Sequence, residues 1–172
     1  QTLKGFEFII IDGGSTDGSK ELIEQNSNII TYWISEKDSG VFNAMNKGIR
    51  VATGDFVIFM NGGDCFYSNI VLEEISSELS AEFDIYYGNN YKVSPNSKRL
   101  KDYPEKLNFS FFYTSSINHQ STFIRKSLFE KYFYYNEDYL AKAKQMMINV
   151  EADVQRNIYF YSNWGILQAW LT

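Results

Sequence analysis

The chain has 172 residues, 44% of them hydrophobic, and a formal net charge of -5. A chain of this size can bury a substantial core, whereas its acidic balance argues against nucleic acid as a partner, because phosphate backbones bind clusters of lysine and arginine. The single cysteine excludes an internal disulfide framework and suits a reducing compartment, so we expect a cytoplasmic protein.

The first predicted element is a strand over residues 6–11, which are almost continuously apolar, as in a strand covered on both faces. The next seven residues, Asp12-Gly13-Gly14-Ser15-Thr16-Asp17-Gly18, predict a tight turn that leads into a helix around residues 21–23. Glycines let the backbone approach a ligand closely, and Asp12 would project from the strand end towards a ribose or base. An ordinary turn that caps the helix fits the same residues, so both interpretations stay open at this point.

A second acidic turn follows the next predicted strand, which covers residues 29–34. This turn, residues 35–40, contains Asp38 and leads into a helix over residues 41–52. Five small or apolar residues fall on one face of that helix: Val41, Ala44, Met45, Gly48 and Ala52. The polar residues of the helix lie away from much of this stripe: Asn43, Asn46 and Lys47. For Lys47 this position favours a solvated side chain.

The following strand leads to a candidate metal ligand. The apolar run at residues 56–60 predicts a buried strand, and Asp64 comes after it in the turn Asn61-Gly62-Gly63-Asp64. Ligands of open α/β sheets lie outside the carboxyl ends of the strands, so Asp64 stands where a metal or phosphate would bind. Mg2+ and Mn2+ bind through one or two carboxylates together with substrate oxygens. We therefore predict that Asp12, Asp38 and Asp64 reach a single cleft.

Beyond this turn, the pattern changes from alternating strands and helices to strands and loops. A helix is predicted over residues 68–80 and a strand over residues 83–88. Two short strands are expected within residues 91–100, around the turn signal Ser94-Pro95-Asn96-Ser97. Residues 101–116 indicate an aromatic-rich loop, and most of its rings are expected to pack beneath it.

The only histidine, His119, stands next to Gln120 just before a predicted strand over residues 121–125. A lone histidine is most often a structural residue. A neutral imidazole at the entrance of a strand could also hydrogen-bond an oxyanion or a hydroxyl without carrying a fixed charge. Both interpretations stay open from the sequence.

Three stretches together resemble the family 2 glycosyltransferases of GT-A fold: FEFIIIDGGSTDGS, WISEKDSGVFNAMNKGIRVATGDFVIFMNGGD and INHQSTFIRKSLFEKY. The resemblance is to the bacterial branch that builds capsule, O-antigen and colanic-acid-type polysaccharides, and it extends from residue 1 to about residue 139. It implies an α/β fold with a Rossmann-like, mostly parallel sheet and helices on both faces. The first βα unit of that fold is expected to be absent, so that the chain would be truncated at its amino terminus.

The same resemblance divides the chain. It implies a GT-A domain at residues 1–138, with a nucleotide-sugar half at residues 1–90 and an acceptor half at residues 91–138. Residues 139–172 are expected to form a divergent helical and apolar tail. The apolar end of this tail, residues 164–171, would pack on the domain or contact a membrane surface, so a peripheral position at the inner membrane is an open alternative.

The resemblance also implies an inverting, metal-dependent transfer of a sugar from a nucleoside diphosphate sugar, with UDP-sugars favoured. The acceptor would be a polysaccharide or a lipid-linked glycan of the bacterial surface. Mg2+ or Mn2+ would stabilise the departing diphosphate. The residues implied for donor binding are Asp12, Gly14, Asp38 and Lys47. Asp64 is implied as the metal ligand, and His119 and Gln120 belong to the acceptor side.

The chain departs from the family pattern at three positions. Asn61 stands where many relatives carry the first aspartate of Asp-X-Asp, and Gly13 stands where the commoner turn has a second aspartate. Lys144 falls where relatives place the catalytic base. Nearby carboxylates do not match the motif: Glu137, Asp138 and Asp153. The base is therefore unassigned, with His119 as a remaining candidate, and we expect the chain as given not to transfer sugar.

Two further functions stay open. One is a degenerate, non-catalytic module that binds a sugar nucleotide, which the residues at positions 13, 61 and 144 favour. The other is a nucleotidyltransferase, which shares a Rossmann-like sheet and an acidic metal site but needs a glycine-rich, basic loop near its first strand.

Overall fold

The computed structural model describes residues 1–132, 134–137 and 158–169. These residues form two compact units: a first unit of residues 5–57 and 126–137, and a second unit of residues 1–4, 58–125 and 158–169. The boundaries of these units follow from packing within the chain and carry no information about which ligand each unit binds. The nucleotide-sugar and acceptor halves expected from the sequence therefore stay predictions.

In chain order the elements are β1 (Ile9–Asp12), α1 (Ser19–Gln25), β2 (Tyr32–Ser35), α2 (Val41–Val51), β3 (Phe56–Val57), β4 (Asp64–Phe66), α3 (Val71–Glu78), β5 (Ile85–Ser94), β6 (Ser97–Lys101), α4 (Phe109–Thr114), β7 (Thr122–Arg125), α5 (Ser127–Lys131) and β8 (Ile158–Ala169). The first unit contains β1, α1, β2, α2, β3 and α5. The second unit contains β4, α3, β5, β6, α4, β7 and β8.

The first unit is built on the parallel strands β1 and β2, in which Ile11 lies opposite Ile34 and Asp12 lies opposite Ser35. Helix α2 packs against β1, and a Cβ placed on Gly48 would lie 3.7 Å from Cγ1 of Ile11. The apolar face of this helix is fully buried at Ile49. Both strands therefore end on the same side of the unit, where their turns meet.

The predicted boundaries are accurate for α2 and less so for the strands. The strand expected at residues 6–11 begins only at Ile9, and Phe6 and Phe8 before it are 44% and 41% exposed. The strand expected at residues 29–34 begins at Tyr32, because a short 3-10 turn occupies Ser27–Ile29. The polar residues Ser27 and Asn28 begin this 3-10 turn, so the chain is not extended at Ile29, where the apolar run predicts a strand.

Asn46 lies outside the predicted apolar stripe of α2, yet its side chain is only 1% exposed. Residues 134–137 lie on this side of the helix, and the rings of Phe42 and Tyr135 stack there with centroids 5.3 Å apart. The helix therefore buries two faces, one against β1 and one against this segment. Helical periodicity within residues 41–52 carries no information about the second contact.

The second unit is a mixed sheet around the long strand β5. Strand β8 pairs with β5 in parallel and with β4 antiparallel, whereas β6 and β7 both pair with β5 antiparallel. The predicted α/β class is confirmed, but the pairings among the described strands are mixed rather than mostly parallel. In the case of β5 and β6 the cause is the Pro95-Asn96 turn, since so short a connection permits only an antiparallel pair.

Strand β8 contains much of the apolar end expected in the tail, and it pairs with β4 and β5 instead of remaining separate. The helical spacing noted within residues 140–150 lies outside the described residues. No helix in the described part of the chain has the length and apolar character needed to cross a membrane.

The aromatic stretch predicted as a loop contains α4. The Asn108 side chain begins this helix by accepting a hydrogen bond from the N–H of Phe111 at 2.9 Å. Phe112 joins the core of the second unit, which also includes Tyr87, Tyr103 and Ile117. The expectation of packed rings is wrong for Phe109 and Tyr113, which are 55% and 72% exposed, because so short a helix buries one side only.

Candidate functional site

The turn after β1 is held together by the carboxylate of Asp12. Its Oδ2 accepts hydrogen bonds from the N–H groups of Gly14 (3.2 Å) and Ser15 (3.0 Å) and from the Ser35 hydroxyl (2.6 Å). Its Oδ1 accepts a hydrogen bond from the Ser15 hydroxyl at 2.5 Å. Asp12 is only 9% exposed, so in this structure its oxygens organise the turn between two parallel strands.

These hydrogen bonds favour the ionised carboxylate. Donation by the Ser15 hydroxyl, followed by that of Ser35, lowers the pKa of Asp12 from 3.8 to about 2, although burial opposes the shift. A carboxyl pKa that is lower in the folded state stabilises the fold above the unfolded pKa. That contribution is lost as the pH falls from about 4 through about 2.

We therefore expect Asp12→Asn to lower the free energy of unfolding by about 2 kcal/mol at neutral pH. The difference from the unchanged protein should shrink between about pH 4 and pH 2, because the native carboxyl group is then protonated. Denaturant unfolding at a series of pH values measures both quantities. Asp17→Asn is the comparison variant: Asp17 is exposed, and hydrogen bonds from the Ser19 side chain and N–H also lower its pKa, so its deficit should have the same pH dependence but be smaller. An Asp12→Asn deficit that is equal at pH 7 and pH 2 would contradict this assignment.

The two predicted acidic turns meet at Gly13. A Cβ placed on Gly13 would lie 2.9 Å from Oδ2 of Asp38, closer than side chains ordinarily approach. Oδ1 of the same carboxylate accepts a hydrogen bond from the N–H of Gly40 at 2.9 Å, which ties it to the start of α2. The Asp38 carboxylate therefore occupies the space that a side chain at position 13 would need.

Gly14 is required by the backbone itself. Its φ is +84°, and a Cβ there would lie 3.3 Å from the main-chain nitrogen of Lys37. The turn after β1 and the turn after β2 are thus in direct backbone contact. This contact brings three of the predicted donor residues, Asp12, Gly14 and Asp38, into one surface of the first unit.

Lys47 joins the same surface through an ion pair. Its Nζ lies 2.7 Å from Oε1 of Glu36 in the turn after β2, and the lysine side chain is only 22% exposed. The solvated lysine expected from the sequence is therefore wrong. The pair is exchangeable, since Glu36 is half exposed and a phosphate could replace its carboxylate beside Lys47.

In the second unit, Asp64 begins β4, and a turn at Gly63 (φ +88°) separates it from the predicted apolar run. Oδ2 of Asp64 accepts hydrogen bonds from the N–H of Asn61 at 3.1 Å and from Nε2 of Gln120 at 3.0 Å. Gln120 is only 3% exposed. A buried amide therefore orients this carboxylate, and the contact joins the predicted metal ligand to the predicted acceptor side.

His119 lies beside the same turn. Its Nε2 is 3.3 Å from the amide nitrogen of Asn61, and its ring meets Phe59 edge to face with centroids 6.5 Å apart. Burial lowers the pKa of His119, and the negative charge of Asp64 opposes this shift. An amide N–H is a donor, so the contact favours the neutral ring with Nε2 as the acceptor. The Asn61 amide therefore stabilises the neutral form of His119, whereas an aspartate at position 61 would stabilise the charged form.

The oxygen ligands that the protein offers at Asp64 suit a hard divalent ion whose remaining ligands come from the substrate. Within the described residues, no group of three or more histidine, cysteine, aspartate or glutamate side chains gathers as a metal site. Asp64 contributes one carboxylate, and its two hydrogen bonds both engage Oδ2. Mg2+ and Mn2+ bind in this way, through one or two carboxylates with phosphate oxygens and water.

The structure thus groups the sequence-predicted residues in two sets, each within one unit. Asp12, Gly14, Asp38 and Lys47 share the strand-end surface of the first unit. In the second unit, the turn before β4 leads to Asp64 and is contacted by His119 and Gln120. The predicted single cleft for all three aspartates stays a prediction. Sequence reasoning missed the role of Asn46, because its partner Tyr135 lies 89 positions later in the chain and no local pattern indicates the contact.

Comparison with known families and proteins gives consistent results. The sequence model of glycosyl transferase family 2 matches residues 1–142, which agrees with the extent of the resemblance noted above. A PGL/p-HBAD biosynthesis glycosyltransferase of Mycobacterium bovis is 28% identical over 181 residues. That alignment covers 99% of this chain and 64% of the relative, so the chain spans less than two thirds of the relative's length.

Solved structures show the same fold. Residues 1–349 of S. aureus TarS superpose with a TM-score of 0.76 and 19% identity over 98% of this chain and 53% of that one. TarS has also been solved with UDP-GlcNAc. The mannosyltransferase PcManGT of Pyrobaculum calidifontis, solved with GDP-Man and Mn2+, has a TM-score of 0.64 and 14% identity over 95% of this chain and 47% of that one. The GT-A fold expected from the sequence is confirmed.

Proposed function

Since this chain belongs to glycosyl transferase family 2, we propose that it binds a nucleoside diphosphate sugar and transfers the sugar to an acceptor hydroxyl group. One observation of the geometry supports this function best. Two strand-end turns meet so closely at Gly13 that the Asp38 carboxylate takes the place of a side chain. Such a surface presents a carboxylate and a lysine beside glycine backbone, which suits a ribose, a base and a diphosphate.

In the proposed donor site, Asp38 accepts hydrogen bonds from the base or ribose. Asp12 acts by holding the turn, and Gly14 lets the backbone approach the nucleotide. Lys47 leaves Glu36 to pair with a phosphate of the donor. UDP-sugars are the favoured donors, in line with the UDP-GlcNAc complex of TarS.

In the proposed leaving-group site, Asp64 holds Mg2+ or Mn2+, which supplies electrostatic stabilisation of the departing diphosphate when bound. The PcManGT complex with Mn2+ is in line with this choice of ion. Gln120 orients Asp64 by its hydrogen bond at 3.0 Å. Neutral His119 contributes a hydrogen bond to the acceptor or the diphosphate and carries no fixed charge.

The acceptor is a glycan or a lipid-linked glycan, and the reaction belongs to bacterial surface-glycan synthesis at the cytoplasmic face of the inner membrane. The mycobacterial relative named for PGL/p-HBAD biosynthesis supports a place in glycan or glycolipid assembly. Inversion at the anomeric carbon is proposed on the same family grounds.

A second candidate is a module that binds the sugar nucleotide without turnover. The observation that favours it is Asn61, whose amide pairs with His119 where many relatives supply a carboxylate. Both functions require donor binding and differ only in catalysis.

Calorimetric titration with UDP tests the part that both share. We expect UDP to bind more tightly with Mn2+ than with EDTA, by at least about tenfold, which corresponds to about 1.4 kcal/mol. Uridine, which lacks the diphosphate, should show no such dependence on the metal. Absence of binding to UDP, GDP and dTDP in the presence of Mn2+ would refute the proposed donor site.

A further inference from the structure

Helix α2 holds the segment 134–137 through a buried asparagine. The Asn46 amide nitrogen donates to the carbonyl oxygen of Tyr135 at 2.8 Å, and its Oδ1 accepts from the N–H of Tyr135 at 2.9 Å. The same nitrogen donates to Oε1 of Glu137 at 2.9 Å. A side chain that is 1% exposed thus satisfies both main-chain groups of one residue and one carboxylate oxygen of another.

Three more side chains of α2 contact this segment. Asn43 donates to Oε2 of Glu137 at 2.7 Å, and the ring of Phe42 stacks on Tyr135. The Arg50 guanidinium lies 5.0 Å from the ring centre of Tyr134. These positions, 42, 43, 46 and 50, follow the repeat of one helix face. The segment is therefore fixed along two turns of the helix.

Two amide groups hold the Glu137 carboxylate, one on each oxygen, while the residue itself is exposed. Hydrogen bonds from Asn46 and then Asn43 lower the pKa of Glu137, and the charges of Arg50 and Lys47 act in the same direction. A carboxylate oxygen has two lone pairs, so each oxygen retains one for a further donor. The group is ionised at neutral pH, fixed in orientation and open to solvent.

This carboxylate lies at the end of α2 that carries the proposed donor residues. Asn43 lies in the first turn of the helix, three residues after Gly40, whose N–H donates to Asp38. Lys47, one turn beyond Asn43, pairs with Glu36. Glu137 therefore shares the start of α2 with the residues proposed to bind the nucleotide, all within the first unit.

From this arrangement we infer that Glu137 is the catalytic residue that accepts the proton of the acceptor hydroxyl, and that Asn46 and Asn43 are its positioning residues. The inference rests on the proposed function. As the hydroxyl oxygen forms its bond to the anomeric carbon, its proton moves to an oxygen of Glu137. The bond between the anomeric carbon and the diphosphate breaks, and its electron pair leaves with the nucleoside diphosphate.

The assignment supplies the carboxylate that the sequence lacks at Lys144. An ionised carboxylate activates water or a hydroxyl in other inverting reactions at anomeric carbons, in which charge develops mainly on the sugar ring. The amide donors replace part of the solvation that Glu137 would have in water. They also hold it in one orientation, which a flexible exposed glutamate would not keep.

Hydrolysis of UDP-glucose in the presence of Mn2+ tests the inference, because water then takes the place of the unknown acceptor. We expect Glu137→Gln to lower the rate of UDP release by about 100-fold or more, while UDP affinity changes by less than about twofold. Glu130→Gln is the matched control in the same unit, since Glu130 is exposed and pairs with Lys126. Its rate should equal that of the unchanged protein.

The pH dependence of the same rate separates a catalytic from a structural role. Hydrolysis should fall on the acidic side as Glu137 is protonated. Asn43→Ala removes one amide donor, so the pKa of Glu137 rises and the acidic limb moves to higher pH. Lys47 and Arg50, the charged groups of α2 that face Glu137, are unchanged in this variant. Glu137→Gln should have no such limb.

Three outcomes would overturn the inference. They are full hydrolysis by Glu137→Gln, an acidic limb at the same pH in Asn43→Ala, and an unchanged protein that binds UDP but releases no nucleoside diphosphate from UDP-glucose or from any other UDP-, GDP- or dTDP-sugar. In each case UDP binding is measured in parallel, so loss of the donor site itself is recognised separately by the absence of that binding.

Discussion

Replacing Asp64 with asparagine should abolish the effect of Mn2+ on UDP binding without changing the fold. The substitution keeps an oxygen that can accept from Gln120 and Asn61, so the turn before β4 should persist. It removes the one negative charge that this turn offers to a divalent ion. We expect UDP affinity in Mn2+ to fall to its value in EDTA, a loss of at least about tenfold, or about 1.4 kcal/mol.

Calorimetry with UDP, with and without Mn2+, measures this loss, and thermal unfolding checks the fold. Asp102→Asn is the matched control, because Asp102 is an exposed aspartate of the same unit outside the proposed site. It should leave both affinities unchanged. Metal-dependent affinity that survives in Asp64→Asn would remove Asp64 from the metal site.

Gly13→Asp should weaken UDP binding even though it restores the commoner turn of the family. The new side chain would enter the space of the Asp38 carboxylate, which lies 2.9 Å from the position of its Cβ. A second carboxylate so close to that of Asp38 would be repelled by it, and displacing Asp38 also breaks its hydrogen bond to Gly40. We expect a loss of about 1–3 kcal/mol in the free energy of unfolding and a loss of at least about tenfold in UDP affinity.

Two glycine-to-alanine variants calibrate this result. Gly13→Ala should give a smaller loss of both quantities, because it brings the crowding without the second charge. Gly48→Ala should be neutral or stabilise the protein by up to about 1 kcal/mol, since its Cβ would make an ordinary 3.7 Å contact with Ile11 inside α2. Tighter UDP binding by Gly13→Asp would show that the turn accommodates both aspartates and that Asp38 has been misplaced.

The sequence predicts those parts of the fold that depend on local pattern. Helix α2 follows from the spacing of apolar residues in eleven positions, and its observed end at Val51 differs by one residue from the prediction. The β5–β6 pair follows from the turn signal at Pro95-Asn96. The missed helix α4 carried a local signal too, in the capping residue Asn108, which the run of aromatic residues obscured.

Long-range contacts account for the rest. The burial of Asn46 depends on Tyr135, which lies 89 positions later in the chain. The short strand that begins at Asp64 depends on its pairing with β8, in which Asp64 lies opposite Gln168. Residue types at the candidate site could be predicted because carboxylates and glycines next to apolar runs indicate strand ends. Their partners, such as Ser35 for Asp12 and Gln120 for Asp64, are set by packing between elements.

The most direct test of the central claim is donor turnover over a panel of UDP-, GDP- and dTDP-sugars, with Mn2+ or with EDTA. The proposed glycosyltransferase should release the nucleoside diphosphate and free or transferred sugar from at least one of them, and EDTA should stop this release. Tight binding with no release would instead indicate the non-catalytic module. Release of pyrophosphate from a nucleoside triphosphate and a sugar 1-phosphate, with none from the sugar nucleotides in water, would contradict the account and indicate a nucleotidyltransferase.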